Sequence, residues 1–261
     1  LEAFKDYVVH EVGGSLGEGR TLSAFGRTAE FDAFPIGMDV AEFTAALDGE
    51  TAKREYARMQ TSMLDRQMII GVDRLDYSKG LEERFLAYEQ FLQDNPDLHE
   101  KVFLLQIATP SREDVEAYRE IRGRLDGVSG RINGAFSTVD WVPIRYVNRG
   151  YRRDQLAGIY RAAKLGLVTP LRDGMNLVAK EYVAAQDPED PGVLILSRFA
   201  GAAAQMPDAV LVNPHSPDDI AHAIRIALDM PLDERKRRYE KMIATVRDDN
   251  VQNWTRNFLH D

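Results

Sequence analysis

Short apolar runs alternate with amphipathic stretches along most of this chain, and that alternation constrains its fold more than any other feature. The strand candidates are Glu30–Ile36, Gln67–Asp73, Val102–Ala108, Trp141–Val147, Leu165–Thr169, Val193–Ser197 and Ala209–Val212. Helix candidates fall between and after them at Val40–Leu64, Leu81–Gln93, Ser111–Leu125, Arg153–Ala162, Met175–Ala185, Pro217–Leu228 and Leu232–Arg247. Ser111 with Glu113 and Asp114 suits a helix start by capping and dipole, and so does Pro217-Asp218-Asp219. The pattern predicts an α/β fold: a Rossmann-like, doubly wound parallel sheet with helices on both faces. A domain boundary is expected around Phe34–Asp39.

Composition narrows the function classes. A chain of 261 residues can bury one substantial core plus a small appendage. A net charge of −9 argues against a nucleic-acid partner, which would need clustered basic charge. A few local cations still suffice to bind phosphate. There is no Cys, hence no disulfide framework and no thiolate chemistry. No signal peptide and no apolar run of membrane-spanning length is visible, so the expectation is a cytoplasmic protein with no membrane partner.

The residues at two predicted strand ends suggest a site. Leu165–Val168 should be followed by a tight Pro170–Gly174 turn and then a helix, at the sheet edge where such folds bind ligands. The first N–H groups of that helix lack intrahelical partners and can receive an anion. Glu181 falls on the same side of the helix as Leu177 and Val178, where a carboxylate is costly unless satisfied. It is either an ion-pair partner of Arg172 or Arg198, or an acceptor for vicinal hydroxyls such as those of a ribose; the pattern leaves both open. After Gln67–Asp73, Arg74 and Lys79 sit on one short βα loop and present two cations at the same edge, which favours a diphosphate site.

The segments GVDRLDYSKGLEERFLAYEQFL and TPLRDGMNLVAKEYVAAQDPEDPGVLILSRFAGAA closely resemble the trehalose-6-phosphate synthase family, retaining glycosyltransferases of the two-domain GT-B architecture. The likeness continues through AFPIGMD, IATPSREDVEAYREIRGRL, SGRING and the Asn213-Pro214 turn, from about Arg27 onward. The resemblance implies that Arg74 and Lys79 hold the UDP diphosphate and that Glu181 takes the ribose hydroxyls. It implies that Asp173, with the backbone at Gly174, Met175 and Asn176, contacts the donor glucose. The main chain at Leu177 and Val178 is expected along the diphosphate, Arg112 near the phosphate-bearing end, and Tyr151 beside the uracil, where the family usually has Phe. The implied reaction moves glucose from UDP-glucose to glucose-6-phosphate with retention, with no metal and no other cofactor. By the same resemblance, residues 1–37 correspond to the tail of an acceptor domain, and 38–261 to the UDP-glucose-binding domain.

The family's acceptor-side residues have no counterpart in this sequence, so the chain is expected to be a donor-binding half, unable to transfer by itself. Its ending soon after Trp254 leaves open a missing last helix, and a homo-oligomer is also open. Other readings remain: a sibling transferase with an acceptor such as glycerol-3-phosphate, an epimerase, or a non-catalytic nucleotide-sugar-binding module. GGSLGEG near Gly13 reads as a flexible surface loop rather than a phosphate loop, and Asp73 with Asp76 lack the spacing of a metal-binding DxD. The five His residues show no ligand spacing, and Glu234–Arg238 reads as a solvated helix face.

Overall fold

The computed structural model describes residues 2–111 and 116–260, which form two units. The smaller comprises residues 2–35 and 254–260. It holds helix α1 (Glu2–His10) and an antiparallel meander of β1 (Ser15–Leu16), β2 (Thr21–Ala24) and β3 (Arg27–Glu30). The Gly13–Gly19 run therefore contributes a strand, Ser15 pairing with Ser23 and Leu16 with Leu22, instead of a free loop. The expected strand Glu30–Ile36 is shifted: β3 ends at Glu30, and residues 31–39 are irregular around Pro35.

The larger unit, Ile36–Asn253, is the predicted doubly wound sheet. Its elements in chain order are α2 (Val40–Asp48), α3 (Glu50–Met63), β4 (Gln67–Arg74), α4 (Leu81–Asp94), β5 (Val102–Thr109), α5 (Glu116–Phe136), β6 (Ile144–Val147) and α6 (Arg153–Ala162). There follow β7 (Leu165–Val168), α7 (Leu177–Ala185), β8 (Val193–Ser197), α8 (Ala202–Gln205), β9 (Val210–Val212), α9 (Pro217–Leu228) and α10 (Leu232–Asp248). A last helix, α11 (Val251–His260), passes from the larger unit to the smaller and was not among the sequence candidates.

All six strands of the large sheet are parallel, in the order β6-β5-β4-β7-β8-β9. Successive side chains of β4 explain the two layers. Ile70 and Val72 enter a core with α2, α3, α6, α7 and α10, whereas Ile69 enters one with α4, α5 and α9. Both faces are buried, which is why the strands read as nearly continuous apolar runs.

Some expected elements move for local reasons. Val40–Leu64 is two helices, because Gly49 is extended (φ −72°, ψ 155°) and caps both. The strand expected from Trp141 starts at Ile144, since the Trp141 indole donates to the Val102 carbonyl instead of lining up in the sheet. The long α5 runs on to Phe136, past the expected end at Leu125, while its proposed cap with Glu113 and Asp114 lies outside the described residues. The Glu234–Arg238 run is only partly solvated: Arg235 is buried and donates to Asp190 and to the Pro191 and Met230 carbonyls.

Candidate functional site

Strand order places the site. β4 and β7 are neighbours, but the chain leaves β4 toward β5 and leaves β7 toward β8, so the sheet changes direction between them. Ligands of open α/β sheets bind where the strands' carboxyl ends flank such a switch. Here the flanking loops are residues 74–80 and 169–176.

The first loop is a tight turn built on Asp76. Its carboxylate accepts from the Ser78 main-chain N–H (2.9 Å), the Ser78 hydroxyl (2.8 Å) and the Tyr118 hydroxyl (3.2 Å). Partial burial works to raise its pKa, but these donors and the charge of Arg74 together hold it below the ordinary carboxylate value. The turn Tyr77–Lys79 is a single 3-10 turn, closed by Gly80 at φ 63°. A Cβ on Gly80 would lie 2.6 Å from the Thr169 carbonyl, so glycine is what lets the two loops touch. Arg74 is exposed at the end of β4 and forms no ion pair with a described residue.

The second loop is held from both sides. Leu171 N–H donates to the Ser78 carbonyl (2.9 Å). On the far side Asp173 N–H donates to Phe199 (3.2 Å), while Gly201 and Ala202 donate to Asp173 and Met175 (3.0 and 2.8 Å). Between these clamps the Asp173 carboxylate receives Lys79 Nζ at 2.6 Å, Asn176 Nδ2 at 3.1 Å and Met175 N–H at 3.4 Å. Asn176 sits at φ 76° and accepts from Ala179 N–H, so α7 starts at Leu177, later than the expected Met175. The N–H groups of Leu177 and Val178 are thereby the open first-turn donors of α7. Gly174 and Leu177 are exposed, and Val178 packs partly into the core.

Beneath both loops lies a polar cluster that sequence reasoning missed. Arg84 is fully buried; it donates to Asp73 Oδ2 (2.6 Å), Gln106 Oε1 (2.8 Å), Thr169 Oγ1 (3.0 Å) and the Lys79 carbonyl (3.5 Å). One guanidinium thus ties β4, β5 and both loops together. A Cβ on Gly71 would stand 2.6 Å from Arg84 Nη1 and 2.3 Å from Gln106 Oε1, so that glycine makes the space. The signal was present: Arg84 falls on the apolar stripe of Leu81, Phe85 and Tyr88, opposite a polar Gln106 in an apolar strand.

Glu181 is mostly buried, its side chain 16% exposed, and its ion-pair partner is neither Arg172 nor Arg198. Arg153, the first residue of α6, places Nε 3.2 Å from Oε1. Burial raises the Glu181 pKa and Arg153 pulls it only partly back. The same pairing brings the start of α6, two residues beyond Tyr151, to α7. Tyr151 packs against the core with the Arg149 guanidinium 4.6 Å from its ring centre. Lys79, Met175 and Asn176 therefore all meet at the Asp173 carboxylate, with Glu181 one helical turn farther along α7. Arg112 lies outside the described residues. Among the described residues, no three His, Asp or Glu side chains are grouped to hold a metal ion, and no helix is long and apolar enough to cross a membrane.

Residues 8–261 match the family model for glycosyltransferase family 20. The chain is 47% identical over 262 residues to a trehalose-6-phosphate synthase from Sinorhizobium fredii, covering all of this chain and 56% of that protein. Over 260 residues it is 44% identical to one from an Enterobacter species, again covering all of this chain and 55% of that protein. A UDP-forming α,α-trehalose-phosphate synthase from Burkholderia xenovorans, solved with glucose-6-phosphate, superposes at TM-score 0.94 and 49% identity over 99% of this chain and 57% of that one. An E. coli structure named for trehalose-6-phosphate and bound with UDP-2-fluoro glucose gives 0.94 and 42%, over 100% and 58%. The chain spans somewhat more than half the length of the curated relatives it matches.

Proposed function

The chain belongs to glycosyltransferase family 20, and on that premise we propose that it supplies the nucleotide-sugar half of a glucosyltransferase. The complete reaction transfers glucose from UDP-glucose to glucose-6-phosphate with retention, giving α,α-trehalose-6-phosphate and UDP. Residues 38–261 serve as the donor domain, and residues 1–37 belong with the acceptor side. The setting is cytoplasmic, where phosphorylated sugars and nucleotide sugars are held.

The observation that carries this reading is that Arg74 and Lys79 stand on one loop of the switch point and the first turn of α7 follows the other, the two loops joined by the Lys79–Asp173 contact. As the glycosidic bond to UDP breaks, negative charge gathers on the β-phosphate. Arg74 offers a planar fork, Lys79 a compact charge, and Leu177 and Val178 two fixed N–H dipoles, all placed before the charge develops. Asp173 and the main chain at Gly174, Met175 and Asn176 hold the sugar. Glu181 receives the ribose hydroxyls and Tyr151 lies by the base, and the phosphate-bearing end is the role assigned to Arg112. Acceptor and donor then meet only when the other half of the cleft supplies glucose-6-phosphate.

Calorimetric titration of this chain with UDP and UDP-glucose tests the donor site. Binding should occur, and Arg74→Ala should weaken it about 10- to 100-fold, the loss of one charge-assisted hydrogen bond. A folded chain that ignores both nucleotides would overturn the reading.

A further inference from the structure

Arg153 is in an unfavourable place for a cation. It is the first residue of α6, where the helix dipole repels positive charge. It nevertheless stays there, its guanidinium 5.3 Å from the ring centre of Phe43 and Nη1 3.4 Å from Glu42 Oε2. The remaining edge turns to Glu181. Nε is buried and lies 3.2 Å from Oε1, but its N–H does not point along an acceptor line. The contact is one of charge rather than an aligned hydrogen bond.

That distinction has a chemical consequence. An ionised carboxylate has about four acceptor directions over its two oxygens. A cation held beside it without an aligned N–H stabilises the ionised state and leaves those directions open. Two adjacent hydroxyls, each needing an acceptor, fit such a group. Without the cation, burial acts unopposed and favours the protonated carboxyl, which has fewer open acceptor directions for a diol.

We infer that Arg153 is the positioning residue for diol recognition: it keeps Glu181 ionised and unsaturated so that the carboxylate can take both ribose hydroxyls. This rests on the donor-site reading above. Arg153 acts through Glu181 and does not itself touch the nucleotide.

The test compares UDP with 2′,3′-dideoxy-UDP, which keeps base and diphosphate but offers no diol. By calorimetry on this chain, Arg153→Met should bind UDP about 10-fold more weakly and dideoxy-UDP within about 2-fold of wild type. Arg153→Lys keeps the charge and should recover most of the preference for the diol. Equal weakening toward both nucleotides, unchanged UDP binding, or a lysine variant that behaves like methionine would each overturn the inference. A wild-type chain that binds neither nucleotide overturns the donor-site reading and takes this inference with it, whereas UDP binding without diol preference overturns the inference alone.

Discussion

Lys79 and Asp173 meet across the switch point, Nζ to Oδ2 at 2.6 Å, and each answers the other's charge. They come from different βα loops, so the contact joins the group assigned to the diphosphate to the group assigned to the sugar. Both side chains are mostly screened from solvent, about 15% exposed, so the pair is better shielded than a surface ion pair. A diphosphate that binds Lys79 must therefore compete with Asp173.

This competition gives the first prediction. Asp173→Asn keeps the shape and the neighbours of the loop but removes the rival charge. UDP should bind a few-fold tighter to the variant, while UDP-glucose should gain less because its sugar loses the carboxylate. Paired titrations with the two ligands read the difference directly. Weaker UDP binding would mean that Asp173 holds Lys79 in its working position instead of competing for it.

Arg84 supports the second. Breaking a buried ion pair from one side leaves an uncompensated charge and costs about 3–5 kcal/mol. Arg84→Met should lose stability of that order in urea unfolding, because Asp73 stays buried without its ion-pair partner. Adding Asp73→Asn should return part of the loss, since the stranded charge is then gone. If the double variant is no more stable than the single one, Gln106 and Thr169 rather than Asp73 carry the energy of the cluster.

What the sequence discloses here follows from how local each feature is. Gln67–Asp73 and Leu165–Val168 are readable because both faces of the strands are buried, and Pro217–Leu228 because Ser216 caps it and Pro217 starts it. The meander of the smaller unit is not, because β3 is exposed throughout and shows no apolar alternation. The break at Gly49 hides inside a helical period that continues on either side. Lys79, Asp173 and Glu181 stand out by residue type and position, yet their partners depend on packing between distant elements. Nothing local to Glu181 selects Arg153 of α6 over Arg172 or Arg198, and Arg198 in fact turns toward Asp219.

Two glycines in the clamp of the second loop should behave oppositely. A Cβ on Gly201 would fall 2.0 Å from the Gly174 carbonyl, against main chain that cannot swing aside. Gly201→Ala should cost about 1–3 kcal/mol by overpacking and displace the 173–176 loop, lowering UDP-glucose affinity as well as Tm. A Cβ on Gly174 meets nothing within 4 Å, so Gly174→Ala should leave Tm nearly unchanged. Thermal unfolding of the two variants side by side makes the comparison, and equal losses would show that the clamp is not what fixes the loop.

The last prediction concerns pH. Burial lifts the Glu181 pKa above its ordinary 4.5, and Arg153 only partly offsets the rise. On the proposed donor-site reading, the ionised form is the one that accepts ribose hydroxyls. Affinity for UDP-glucose should therefore be full above the raised pKa and fall as pH drops through it, beginning above the range of an ordinary glutamate. UDP-glucose is the right probe, because its diphosphate diester keeps a constant charge over that range, whereas the terminal phosphate of UDP does not. Fold stability should respond with the opposite sign at this group: the native state holds the proton more tightly than the unfolded chain, so the contribution of Glu181 is favourable below about 4.5 and is lost as pH rises through the raised value. Glu181→Gln should bind UDP-glucose weakly with no such acid dependence. Wild-type affinity that is flat down to the ordinary glutamate range would place the ribose contact elsewhere.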